Sequence, residues 1–531
     1  MRAHLLACTV LLTGITATGC QQEYRSDAKK LAGVWSQGDY QTAATLAYKD
    51  AREEAKHKKN RVIYFMEGGR AAQAAGDYET SIECFDHAFV DTYPYMKETP
   101  EATVSEAIVT TVTNNTTSRY RGTPNDRIML HASNALNFMA MGDMDHARVE
   151  LNRGVLWTED AEHRYGKAMD LAHKKNRGRV DDWAKKTDNK NKDDSWADDT
   201  SDVMHDNTSR IVNDHYDDLP DRTASNHYIN PWALHLDAVF RLTRGENGYG
   251  NDFSMAENSL EELRVISPRV MPQLKSELEW ATRGTPPPPT TWIYFMNGMG
   301  PYLEQITIPM PLPLSGGFTM PTLALPDMKF NESKLDTLRV STNDEKTVNT
   351  RVLADTAAIS ASQFKERLPI IITHEAIRAT GKAIATYVLM RAAQDNSYVA
   401  IFAIGALIYQ VGSAQADLRC WRTMPSDIQT AHLPTPTDGL LRFTTPDGRS
   451  LGSVELTPDE SHIVVVSLPS PTVSTASIMP IQLTGDREQY VPIFSLKPPP
   501  EQEELENEKI APTTAEVDVD QTESISTKTT S

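Results

Sequence analysis

A Gly-Asp doublet recurs in helical surroundings, as Gly38-Asp39-Tyr40, Gly76-Asp77-Tyr78 and Gly142-Asp143-Met144. Glycine tolerates the left-handed backbone that ends a helix abruptly. Aspartate accepts backbone N–H bonds at the start of the next helix. Each triplet therefore predicts a helical hairpin with a very short turn. The leading helices are expected over Asp27 to Gln37, Arg61 to Ala75 and Asp126 to Met141, and the returning helices begin at the triplets. After Tyr78, the residues Ile82, Phe85, Ala88 and Phe89 fall on one helical stripe, and Ala147 and Leu151 take equivalent places after Gly142. Small residues stand where paired helices must approach: Gly68, Gly69 and Ala72, then Ala132 and Ala135.

The first two triplets are 38 residues apart, and the layout resembles tetratricopeptide repeats, in which Gly makes the turn, Asp caps and the aromatic packs back. The competing reading is a helical bundle whose turns coincide by chance. A fourth, degenerate pair is expected from Asn230-Pro231 through Leu242, with a turn over Gly245 to Gly250 and a return from Met255 to Val265. Between the third and fourth pairs, Asp181 to Asp221 is crowded with Asp, Lys and Asn and reads as a charged insertion, flexible or a fraying polar helix. It lacks the spacing of a calcium loop.

The N-terminus reads as an export signal. Arg2 precedes an apolar stretch from Leu5 to Ile15, too short to span a bilayer, and small residues Ala17-Thr18-Gly19 lead to Cys20. That ending fits a lipoprotein-processing site, with acyl chains on Cys20 as the membrane attachment. The same residues also satisfy the small-x-small rule of ordinary signal peptidase. Gln21, in place of an Asp after the cysteine, favours the outer membrane. The net charge of −19 excludes nucleic acid as a natural partner. Of the four cysteines, only Cys84 and Cys420 remain for the folded body, too few for a disulfide framework or a cysteine metal cluster. The apolar run Tyr398 to Val411 is too short for a membrane helix and reads as a buried one.

Pro286 to Pro289 marks a change from helical to alternating pattern. Strands are expected at Thr291 to Phe295, Ile306 to Ile308, Thr337 to Val340, Thr347 to Val352, Asp427 to Leu433, Leu440 to Thr444, Ser453 to Leu456 and Ile463 to Leu468. Helices are expected at about Pro369 to Ala393 and Val399 to Ser413, and Pro446-Asp447-Gly448 signals a hairpin turn. The expected class is α+β: a signal over 1–19, a tetratricopeptide-like helical domain over 20–285 with the charged insertion at 181–221, a mixed α/β domain over 290–495, and a disordered acidic, Ser/Thr-rich tail over 497–531.

The chain further resembles a family of uncharacterised bacterial outer-membrane lipoproteins with N-terminal tetratricopeptide repeats. The likeness is carried by Tyr120-Arg121-Gly122 with Arg127 to His131, by Ala135 to Phe138, Asn230-Pro231 and Asn297-Gly298 with Pro301, and by the block from Ala416 to Pro425. It covers roughly Asp27 to Gln429. It implies a periplasmic body on a lipid anchor, association with other envelope proteins, including those that build peptidoglycan, and no known reaction.

Catalytic signatures are sparse. His374-Glu375 has Arg378 where a zinc-protease helix needs its second His, and no serine-hydrolase elbow or phosphate-binding loop occurs. No catalytic residue, metal or cofactor is assigned. Arg419, Trp421 and Arg422, with Asp417 placed to hold Arg419, are residue types that dominate interaction hot spots when exposed. They are equally suited to plugging a helix–sheet seam. Tyr120, Arg121 and His131 either order the loop entering the third helical pair or line a peptide groove. The leading expectation is a lipid-anchored scaffold that binds other envelope proteins through its helical repeats. An enzyme or glycan-binding protein acting on the cell wall, and a structural component without transient partners, are the alternatives.

Overall fold

The computed structural model describes residues 24–96, 119–174, 207–486 and 494–496, with breaks inside those spans, chiefly at 246–249, 269–270, 315–316 and 394–414. The signal segment with Cys20, most of the charged insertion, the expected helix at Val399 to Ser413 and the expected tail lie outside the described residues.

Helices come first: α1 (24–36), α2 (Tyr40–Glu54), α3 (Arg61–Ala75), α4 (Tyr78–Met96), α5 (Pro124–Ala140) and α6 (Met144–Asp160). At the three triplets the chemistry is the same. Gly38, Gly76 and Gly142 have φ of 73°, 87° and 83°, the left-handed region that favours glycine. Asp39, Asp77 and Asp143 each accept the backbone N–H three residues on, at 3.1, 3.0 and 3.0 Å. Asp77 N also bonds Ala72 O, and Asp143 N bonds Phe138 O, so the carbonyls left open at the helix end are satisfied. The third triplet residue opens α2, α4 and α6.

Every residue of α3 from Val62 to Ala75 is buried, because it is covered by α2, by α4 and by strands from the far end of the chain. Close approach of α3 to α4 is set at Gly69, where a Cβ would lie 2.6 Å from the Phe85 ring. Helix α7 (207–215) and a 3-10 turn (Leu219–Arg222) follow. This stretch is a correction to the expected charged insertion, because Ile211, Tyr216 and Leu219 are buried in an apolar cluster. Then come α8 (Pro231–Arg244), α9 (Asp252–Ile266) and α10 (Met271–Arg283).

Strands take over at β1 (Thr290–Asn297), buried along its whole length. It lies at the centre of a five-stranded sheet of order β13-β12-β1-β9-β8, where β8 is Arg351–Ala354, β9 Asp427–Pro434, β12 His462–Leu468 and β13 Ser477–Gln482. β12 runs parallel to β1 and β9 antiparallel. Side chains alternate across a strand, and the two faces serve two cores. Trp292, Tyr294, Met296, Val465 and Ile481 join the helices. Ile293, Phe295, Val464 and Val466 join Val340, Leu441, Phe443 and Leu451, which belong to a second, four-stranded sheet of order β11-β10-β6-β7. Its strands are β6 (Arg339–Ser341), β7 (Thr347–Asn349), β10 (Leu440–Thr444) and β11 (Ser450–Glu455). The body is thus helices, sheet, sheet. Although secondary structure changes at about residue 285, one apolar core runs from Tyr24 to Leu483 across that point.

From this body projects a ribbon, β2 (Tyr302–Pro309) with β5 (Thr322–Lys329), prolonged by β3 (Leu312–Leu314) with β4 (Gly317–Thr319). It packs on α11 (Thr356–Ala393) through Ile308, Leu323 and Leu325 against Phe364, Leu368 and Ile372.

Candidate binding cleft

A cleft of about 300 Å³ opens where the helical turns meet the edge of the larger sheet. One wall is the first triplet, Gly38 to Tyr40, with Gln41. Another is the end of α3, Gln73 to Gly76, with Tyr78, and the third is Ser477 and Ile478 of β13. The walls are tied together. Tyr40 Oη donates to Ser467 O at 2.9 Å, and Ser477 Oγ donates to Ala74 O at 2.6 Å. Gln73 Nε2 donates to Ser133 O and Asn137 Oδ1 at 2.8 and 2.7 Å. Its Oε1 accepts from Arg70 Nη1 at 3.2 Å.

Arg70 stands behind this wall, 3% exposed. Nη2 donates to Ser467 Oγ at 2.7 Å, and the guanidinium carbon lies 5.6 Å from the Trp35 ring centroid. Among the described residues no carboxylate pairs with Arg70, and two buried donors, Arg70 Nε and Trp35 Nε1, have no hydrogen-bond partner. Burial lowers the Arg70 pKa to about 10 and raises that of Tyr40 to about 12. An interior cation without a counter-charge is unfavourable by itself, and here Gln73, Ser467 and the Trp35 ring solvate it in place of a carboxylate. Asp77, at the neighbouring turn, accepts from Leu496 N at 2.7 Å, which brings a late stretch of chain to the same end of the molecule.

Two other polar clusters are sealed. Glu277 accepts from His235 Nε2 at 2.8 Å, from Trp292 Nε1 at 2.8 Å and from His432 Nδ1 at 3.0 Å, while Tyr294 Oη meets His235 Nδ1 at 2.8 Å. The Tyr-His-Glu order has the form of a catalytic relay, but Tyr294, His235 and Glu277 are all buried between α8, α10 and β1. Burial alone would raise the Glu277 pKa, but His235 and His432 hold it well below the ordinary carboxylate range. Glu67 accepts from the backbone N–H groups of Arg422 and Thr423 at 2.7 and 3.1 Å. Burial pushes it up to about 7 against those bonds.

Of the interaction residues singled out in the sequence, Arg419, Trp421 and His131 are buried, while Tyr120, Arg121, Asp417 and Arg422 are partly exposed. Trp421 is 2% exposed, donates to Thr423 Oγ1 at 3.0 Å and meets Phe85 edge-on. Arg419 forms a two-pronged pair with Asp417 at 2.8 and 2.6 Å and bonds Lys59 O at 3.1 Å, with its guanidinium carbon 5.5 Å from the Tyr120 ring centroid. Arg422 lies over Tyr302. Tyr120 Oη donates to Asp126 Oδ2 at 2.8 Å, and the Arg121 carbonyl accepts from Arg127 Nε at 3.0 Å. His131, 1% exposed, accepts from Trp157 Nε1 at 3.0 Å on Nε2 and meets Glu150 through Nδ1 at 2.6 Å. These side chains fix the loops at 120 and 420 against the helices, so buried Arg419 and Trp421 follow the seam-plugging alternative rather than the hot-spot one, and buried His131 packs within the helical pair rather than lining a groove. Glu375 pairs with Arg378 and accepts from Ala324 N at 3.2 Å. Among the described residues no group of three or more His, Cys, Asp or Glu side chains is placed to hold a metal.

The sequence did not mark Trp35, Arg70 or Gln73. The one available signal was position: all three lie within six residues before a Gly-Asp turn.

No protein-family model matches the chain, and no curated protein and no solved structure matches it.

Proposed function

We propose that this chain is an exported lipoprotein, held to the outer membrane through acyl chains on Cys20, with its body in the periplasm. There it acts as a scaffold that binds other cell-envelope proteins, including those of cell-wall assembly. Its helical hairpins act as tetratricopeptide-like repeats, and the cleft at their turns takes a segment of the partner. The observation that carries this reading is the cleft itself, walled by two helical turns and the edge strand of the larger sheet. The leader and Cys20 support export and anchoring. Tethering in one leaflet raises the effective concentration of any partner brought there.

The test is cross-linking in intact native cells, followed by purification through a C-terminal tag and mass spectrometry of both the partners and the mature N-terminus. An acylated Cys20, and an envelope protein whose recovery falls when Arg70→Met is introduced, support the proposal. An unmodified N-terminus removes the anchor, and recovery of the same proteins from the variant removes the cleft.

A further inference from the structure

The cluster around Glu277 is sealed towards the core but has one outward arm. Trp292 of β1 and His432 of β9 are cross-strand partners, so both side chains leave the same face of the sheet, towards α10. There Glu277 receives both, from Trp292 Nε1 at 2.8 Å and from His432 Nδ1 at 3.0 Å. His432 reaches the surface, its side chain 18% exposed against 1% for Glu277. Its other ring nitrogen, Nε2, lies 3.3 Å from Oγ of Ser276, which is itself half-buried. Pairing of β9 with β8 stops at Thr430, so the pair stands where the sheet runs out. Trp280, one turn after Ser276 and also half-buried, places its ring centroid 6.2 Å from that of His432.

The contacts run in the order carboxylate, Nδ1, Nε2, hydroxyl. An ionised carboxylate only accepts, so Nδ1 of the neutral ring carries the proton and Nε2 is left to accept from the Ser276 hydroxyl. Burial would raise the Glu277 pKa, but His235 and His432 hold it well below the ordinary carboxylate range, and the group is ionised at neutral pH. The bonds from His235 Nε2 and Trp292 Nε1 fix the direction in which Glu277 meets His432. These are the roles of a nucleophile, a general base and the group that orients the base, which geometry identifies whatever the sequence order. Ser276 stands on a helix and not on a glycine-flanked elbow, so no sequence pattern marks it.

We propose that Ser276, His432 and Glu277 form an acyl-transfer site for activated esters and thioesters. This goes beyond the scaffold reading and does not rest on it. Ser276 Oγ bonds to the acyl carbon as its proton passes to His432 Nε2. The bond from that carbon to the leaving oxygen or sulfur then breaks, its electron pair stays on the leaving atom, and Nε2 returns the proton there. Water repeats the attack on the acyl-serine with His432 again as base, which releases the acid and restores the hydroxyl. Glu277 is a positioning residue that acts through His432. The substrate class follows from the helix. Ser276 lies within α10 (Met271–Arg283), where its backbone N–H belongs to the helical ladder and offers nothing to an oxyanion. Loss of one oxyanion donor costs about 10²–10³ in rate, so the site serves acyl donors with good leaving groups and not amides.

The test uses the full chain, purified through a C-terminal tag, with p-nitrophenyl acetate, phenyl thioacetate, p-nitroacetanilide and a fluorophosphonate probe. The ester and thioester should turn over and the anilide should not, and mass spectrometry should place the phosphonyl adduct on Ser276. Ser276→Ala suits a helix at least as well as serine, so it should abolish adduct and turnover without lowering Tm. His432→Gln should slow both by about 100-fold or more. Glu277→Gln keeps an oxygen for the Nδ1 proton without the charge, and should lower kcat while leaving KM unchanged. Turnover that survives Ser276→Ala would mean direct attack by another side chain and would overturn the proposal. The absence of an adduct on protein with native circular dichroism would overturn it as well, and so would an adduct rate unchanged in His432→Gln.

Discussion

Replacing Glu277 by Ala should be among the most destabilising single changes outside the apolar core. The carboxylate accepts from two histidines and an indole N–H at 2.8 to 3.0 Å, with Glu277, His235 and Trp292 all buried. Truncation leaves those donors facing a void. Breaking a buried, hydrogen-bonded charge pair typically costs about 3–5 kcal/mol, against a total stability of about 5–15 kcal/mol for a domain. The pH dependence follows from the depressed pKa. Glu277 is ionised in the folded protein at pH values where it is protonated when unfolded, so its contribution is fully present above the ordinary glutamate value near 4.5. That contribution fades as pH falls from there towards the folded value. Urea denaturation at pH 7 and at descending pH on wild type, Glu277→Ala and Glu277→Gln measures both effects. The account expects a drop of about 3–5 kcal/mol for Glu277→Ala at pH 7, with unchanged m, and a shallower acid slope for both variants. A loss under about 1 kcal/mol would refute the claim that this cluster locks α8 and α10 to the sheet.

Gly69→Ala should destabilise by about 1–3 kcal/mol in thermal melts, because its Cβ would lie 2.6 Å from the Phe85 ring in a packed core. Gly33→Ala, in α1 with nothing within 4 Å, should instead stabilise by about 0.5–1 kcal/mol. Glu67, pushed up to about 7, retains its proton longer when folded. It therefore subtracts stability as pH rises from about 4.5 to about 7, and Glu67→Gln should flatten the stability curve across that window. Arg70→Met removes an interior cation without a carboxylate partner together with its bonds to Gln73 and Ser467, and because the two effects oppose each other stability in the absence of any partner should change by less than about 1.5 kcal/mol in thermal melts.

How much of this was legible in the chain depended on whether a residue's role is local. The triplets were readable because glycine's backbone freedom and aspartate's capping act within a few residues, and α3 was located at Arg61–Ala75 with both ends. The fourth pair was found for the same reason, through the Asn230 cap on Trp232 N. Strands with proline were missed. β5 contains Pro326 and β13 contains Pro480, residues that argue against a ladder until the strand is known to lie at an edge. Helix α11 was expected to begin at Pro369 but runs from Thr356 through that proline, its first turns held by Thr356 Oγ1 and Asp355 against the 426 loop and its own backbone. In the 207–222 stretch, charged neighbours hid the few apolar residues that pack on the ribbon helix. The cleft was not legible at all, since Arg70 and Ser467 meet across 397 positions. Arg419 and Trp421 have the composition of a hot spot, and only the fold reveals that they are inside.

The most direct test of the scaffold account is a photo-cross-linking amino acid placed at Gln41, on the exposed lip of the cleft, compared with one at Val265, 74% exposed on α9. Illumination of native cells should give a discrete adduct with an envelope protein from position 41, weakened by Arg70→Met, and none from position 265. The same adducts from both positions, or none from position 41 in a folded, membrane-associated protein, would contradict it.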